Sequence, residues 1–102
     1  MVKNRNEIYS LFASLNEALR QLGVKRIGVF GSFEREENNE LSDIDLVVEF
    51  VEGKKNYSAF YALAELLEKQ MGRKVDLLTI ESISPYFREE IEKEINYHEV
   101  AA

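Results

Sequence analysis

Between Ser42 and Phe50 the chain reads Ser-Asp-Ile-Asp-Leu-Val-Val-Glu-Phe. In an extended backbone this alternation sends Ile44, Leu46, Val48 and Phe50 to one face and Asp43 and Asp45 to the other. Few folds accept such a segment, because the apolar face must be covered along its whole length while the carboxylates must stay open to water or to a cation. Two positions apart in a strand lie roughly 6.6 Å from each other. At an effective dielectric near 20, two full charges at that distance repel by about 2.5 kcal/mol. The pattern therefore predicts a strand over 41–51 whose polar face binds something positive.

A second signal precedes it. The apolar run Ile27 to Phe30 ends in Gly31-Ser32, and the next residues, Phe33 to Asn38, suit a short helix whose first amides would point at a phosphate. Carboxylates beside a phosphate turn suit magnesium, which binds through one or two carboxylates plus phosphate oxygens and water. Two such ions can clamp an in-line phosphoryl displacement. Asp76, in Arg73-Lys-Val-Asp-Leu-Leu-Thr79, is a third carboxylate inside a strand-like run. Arg35 and Lys74 are candidates for neutralising phosphate oxygens, with solvated surface charge as the plain alternative.

Gly31-Ser32, ten intervening residues and then Asp43-x-Asp45 resembles the signature of the DNA polymerase beta-like nucleotidyltransferase superfamily. The wording Phe-Gly-Ser, Arg35 three past the Ser, and Ser-Asp-Ile-Asp-Leu is similar to its minimal nucleotidyltransferase branch. The resemblance extends over nearly the whole chain. It implies a nucleotidyltransferase palm, two magnesium ions on Asp43, Asp45 and Asp76, and ATP or another nucleoside triphosphate held by Gly31, Ser32 and Arg35. It also implies an antitoxin that adds AMP to a tyrosine of a helical HEPN-type toxin. In that role Asp76 would take the proton of the attacking hydroxyl. Where many members carry Ala-Arg-Gly after the turn, this chain has Glu34-Arg35-Glu36, an acidic pair that favours a rival reading as a non-catalytic binding module. A small-molecule, aminoglycoside-type nucleotidyltransferase is a further alternative.

Composition narrows the partners. At 102 residues, one nucleotidyltransferase domain over 1–102 is expected. A net charge of −6 disfavours a nucleic-acid partner. The chain has no cysteine, so thiolate chemistry is excluded, and no apolar run approaches the ~18 residues of a membrane span. A cytoplasmic location is the default expectation.

The remaining pattern is helix over Glu7–Leu22, strand over Arg26–Phe30, the strand at 41–51, and a helix from Asn56 to about Met71 ended by Gly72. A strand around Asp76 and a helix begun by Ser84-Pro85, with Phe87, Ile91 and Ile95 as its stripe, complete it. This order predicts an α/β (α+β) domain, a small mixed sheet covered by helices. Tyr57, Phe60 and Tyr61 read as a core edge, and His98 as a surface residue.

Overall fold

The alternation at 42–50 is realised as strand β2 (Ile44–Phe50), in which Ile44, Leu46 and Val48 are wholly buried and Phe50 nearly so. The computed structural model describes residues 1–100. On one side β2 pairs antiparallel with β1 (Val24–Phe30), and on the other parallel with β3 (Val75–Thr79). A short strand β4 (Tyr97–Glu99) pairs antiparallel with the outer edge of β1, giving the order β3-β2-β1-β4. The sheet is thus mixed, and three helices close its apolar face: α1 (Arg5–Ser14), α2 (Asn16–Gln21) and α3 (Tyr57–Met71).

Helix α3 forms where capping and periodicity agree. The Asn56 side chain accepts from the Ala59 amide at 2.8 Å. Leu63, Leu67 and Met71 are fully buried along one stripe. Gly72, at φ 69°, ends the helix in the left-handed conformation. They pack with Ile8, Phe12 and Leu19 from the first two helices and with Ile27, Val29 and Ile44 from the sheet.

The helix expected over Glu7–Leu22 is two helices that meet at Leu15 (φ −96°, ψ 8°). The Ser14 hydroxyl donates to the Leu11 carbonyl at 2.8 Å just before the break. This local bond competes with regular helix.

The opposite face of the sheet carries a smaller cover. A 3-10 turn (Ile80–Ser82) and helix α4 (Pro85–Glu94) lead into β4, and Val47, Ile80, Ile83 and Ile95 form a second buried cluster with Phe30, Ile91 and Tyr97 at its margin. Here the structure departs from the sequence pattern. Helix α4 stops at Glu94, and Ile95 is extended (φ −88°, ψ 127°), so Ile95 seats in the cluster from outside the helix while Phe87 stays 58% exposed. The 3-10 turn and β4 are too short to leave a periodic signal in the sequence. His98 is half-buried on β4, not a free surface residue; a ring nitrogen lies 2.8 Å from Asn16 Oδ1, and burial pushes its pKa down.

Candidate active site

Topology brings the signature residues to one end of the sheet. Because β1 runs against β2 and β3 runs with it, the end of β1, the start of β2 and the start of β3 lie side by side. Phe30 is the register partner of Asp45 across β1–β2, and Asp76 is its partner across β2–β3. Registered neighbours share a face about 4.8 Å apart, so Asp45 and Asp76 stand together. Asp43, two residues before Asp45, is exposed and lies just ahead of the strand, which begins at Ile44 and not at Leu41 as the pattern suggested. Leu41 is 92% exposed in the connecting loop.

Gly31 joins this group by direct contact. Its φ is +73°, which side-chain-bearing residues rarely adopt, and a Cβ placed there would lie 2.4 Å from Asp45 Oδ2. The backbone therefore rests against the Asp45 carboxylate, a contact that only glycine permits. After it the chain does not form the short helix expected over Phe33–Asn38. It winds through turns in which the amides of Arg35 and Glu37 bond the carbonyls of Gly31 and Ser32, at 3.2 and 2.8 Å, and Glu36 sits at φ 59°. Phe33 anchors the turn in the main core.

Electrostatics follow from this crowding. Burial, then the charges of Asp76 and Asp43, pushes the Asp45 carboxyl above its ordinary range, with Arg35 opposing. Arg35 is itself engaged: its Nε donates to Glu37 Oε1 at 3.2 Å and its Nη1 lies 3.8 Å from Glu94 Oε2. Lys74 is exposed and enters none of the ion pairs among the described residues. The acidic pair flanking Arg35 is divided. Glu34 is buried, with Oε1 3.4 Å from Arg5 Nη1 and the same distance from Asn96 Nδ2, whereas exposed Glu36 lies 3.7 Å from Arg5 Nη2. Only one of the two glutamates faces solvent beside the turn.

Among the described residues, no three His, Asp or Glu side chains are gathered tightly enough to enclose a metal ion by themselves. The donor chemistry nonetheless fits a hard divalent ion. It is all oxygen, two carboxylates stand in register, and Asp45 carries its charge against the effect of its surroundings. Magnesium needs only one or two carboxylates and takes its other ligands from water and phosphate.

A cleft of about 550 Å³ lies elsewhere, where Tyr57, Phe60 and Tyr61 of α3 meet Leu77 and Leu78 of β3. None of Gly31, Ser32, Asp43, Asp45 or Asp76 lines it. Outside it, Asp43 and Asp76 are exposed and Asp45 is half-buried.

Arg73 opens the run that carries Asp76, and no pattern in the sequence marks a role for its own side chain. Its guanidinium donates to the carbonyls of Val2, Asn39, Glu40 and Ser42.

The chain is similar to known proteins along nearly its whole length. The nucleotidyltransferase domain family matches residues 13–98. A Methanocaldococcus jannaschii protein assigned as a protein adenylyltransferase is 40% identical over 99 residues, covering 94% of this chain and 99% of the relative. Among solved structures, one assigned as a minimal nucleotidyltransferase superposes with a TM-score of 0.80 at 29% identity, over 92% of this chain and 95% of the other. A toxin–antitoxin structure with AMP-PNP shares the fold at a TM-score of 0.67 and 23% identity, over 83% and 69% of the two chains. The mixed sheet, the Gly31 turn seated on Asp45 and the whole-chain similarity agree, and this chain is a nucleotidyltransferase of the minimal nucleotidyltransferase family.

Proposed function

We propose that the chain transfers AMP from ATP to a hydroxyl of a partner protein, and that it acts as the antitoxin of a pair whose toxin is a helical HEPN-type protein with a tyrosine acceptor. The observation that carries the reading is the pairing of Asp45 with Asp76 in register, beside a glycine whose backbone touches the Asp45 carboxylate. A domain that only binds has no use for carboxylates held against their own repulsion. The glutamates that favour a non-catalytic binder are also less prominent than their spacing suggests, since Glu34 is buried against Arg5. The adenylyltransferase name of the Methanocaldococcus relative supports AMP as the group and a protein as its acceptor.

In this reading the turn at Gly31 and Ser32 binds the triphosphate, and Arg35 supplies positive charge at its margin. Asp43 and Asp45, with Asp76, would hold magnesium, which when bound neutralises phosphate charge and polarises the phosphorus under attack. Asp76 accepts the proton of the incoming hydroxyl. The hydroxyl oxygen bonds to the α-phosphorus as the bond to the bridging oxygen breaks, and pyrophosphate leaves with that electron pair. Apart from that proton transfer, catalysis is positioning and charge compensation. The open surface around the carboxylates leaves one wall of the site to the partner, which brings its own hydroxyl.

The test is intact-mass spectrometry of the purified chain mixed with ATP, magnesium and, where a small all-helical protein is encoded alongside, that protein. The expected result is that protein heavier by one or more AMP groups, with little reaction on aminoglycosides or sugars. Efficient modification of an aminoglycoside, with the protein partner unchanged, would return the chain to the small-molecule enzymes.

A further inference from the structure

We infer that Arg73 is a positioning residue for the active site: it holds the loop before Asp43 at the distance from the Gly31-Ser32 turn that the site needs. The inference rests on the proposed function for its catalytic meaning but on geometry for its existence.

The ten residues between Ser32 and Asp43 form neither helix nor strand, and within 33–42 Phe33 is the one apolar side chain in the main core. Fixing backbone of this kind costs conformational entropy at every residue, so something must hold it.

Local bonds shape the loop. The Asn39 amide donates to Ser42 Oγ at 2.9 Å, the Leu41 amide to Asn39 Oδ1 at 2.8 Å, and the Ser42 amide to the Asn39 carbonyl at 3.1 Å. These bonds close the loop on itself without tying it to the sheet.

Arg5 holds the Glu34 carbonyl at 3.3 Å and Asn38 Nδ2 donates to the Lys3 carbonyl at 2.9 Å, and Arg73 supplies the tie next to Asp43. The carbonyls of Asn39, Glu40 and Ser42 converge on its Nη1, each at 3.1 Å, and its Nε donates to the Val2 carbonyl at 2.8 Å. Three carbonyl dipoles aimed at one point form a cup that requires a cation, and the two hydrogens of one nitrogen are shared among them. The same guanidinium lies 5.1 Å from the centre of the Phe33 ring, on the residue that follows Ser32. One side chain therefore touches both ends of the Ser32–Asp43 connection. Arg73 also stands two residues before β3, whose Asp76 is paired with Asp45. The Ser42 carbonyl it holds belongs to the peptide bond that leads into Asp43, so any slip of that carbonyl moves the Asp43 carboxylate. Lysine replaces it only in part, since its three hydrogens can enter the cup while the bond to Val2 and the plane over Phe33 are lost, whereas methionine keeps the stem and offers no donor at all.

The experiment compares the full chain with Arg73→Met and, as a control for general loss of stability, Ile8→Val, a buried change in α1 that removes no hydrogen bond to the loop. Hydrogen exchange of the Asn39, Leu41 and Ser42 amides is read without nucleotide or metal, and the magnesium dependence of AMP transfer is read separately. The expected result for Arg73→Met is about tenfold faster exchange in the loop with β1 and β2 amides still protected, together with about tenfold more magnesium for half-maximal rate, the range expected when supports of metal ligands are removed. Ile8→Val should change neither. Unchanged loop exchange in Arg73→Met, or faster exchange with an unaltered magnesium profile, would overturn the inference, as would a magnesium shift of the same size in Ile8→Val. A parental chain that transfers no AMP in any magnesium concentration would instead count against the proposed function, and the loop exchange would still decide whether Arg73 holds Asp43 in place.

Discussion

The two faces of β2 differ in what they contribute. On one face Ile44, Leu46, Val48 and Phe50 are all buried in the main core, under α1, α2 and α3. On the other only Val47 is covered, by the 3-10 turn and α4, while Asp45 at one end and Glu49 at the other remain half-buried. The difference teaches that adjacent residues of one strand answer to different physics. The apolar face holds the fold, and the carboxylate end of the other face carries charge that the fold does not favour, since burial and the neighbouring Asp76 and Asp43 push the Asp45 carboxyl up.

Neighbouring substitutions can break or sharpen that contrast. Asp45→Asn should reduce AMP transfer by at least a hundredfold, about 2.7 kcal/mol or more in the barrier. The variant should melt no lower than the parent, because the neutral isostere removes a charge held against its environment. A variant that lost activity only because it unfolded would erase the distinction between the faces. Leu46→Ala, one residue on, should do the reverse. It empties a wholly buried site and should cost about 2–5 kcal/mol in urea denaturation, while the folded fraction keeps its rate.

Gly31→Ala lies on the boundary between the two behaviours. Its φ of +73° costs any other residue about 1–2 kcal/mol, and the new Cβ would meet Asp45 Oδ2. Stability and transfer should therefore fall together, as thermal melting and a pyrophosphate-release assay would show.

The smallest effect is expected at Glu34, whose Oε2 is buried without a hydrogen-bond partner. Burial raises its pKa, and Arg5 opposes the rise only in part. The folded state then holds this proton to higher pH than the unfolded state does, so stability falls as pH rises from the ordinary carboxylate range through the raised value. Glu34→Gln should flatten that part of a urea-midpoint profile, with a change within about 1 kcal/mol. An unaltered slope would show that Glu34 is not the group responsible.

The parts legible in the sequence are those governed by short-range rules. Alternation placed β2 and its two faces, and Asn56 with Gly72 bounded α3. The family signature picked out Gly31, Asp45 and Asp76, which the register then brings together. What escaped depends on contacts distant in the chain. Strand β4 has three residues and exists only through its pairing with β1, and Ile95 leaves the stripe of α4 because the Val47 cluster takes it from an extended backbone. Arg73 bonds carbonyls more than 30 residues away, and carbonyls carry no sequence signal. Glu34 seemed to face the phosphate turn by spacing alone, yet Arg5 of α1 draws it inward.

Calorimetric titration of ATP into the parental chain, with magnesium and then with excess chelator, tests the central claim most directly. The carboxylate end of β2 is proposed to accept a triphosphate only when a divalent ion stands between the like charges. Binding should therefore be measurable with magnesium and vanish with chelator. Equal affinity in the two conditions would contradict the metal-dependent nucleotide site.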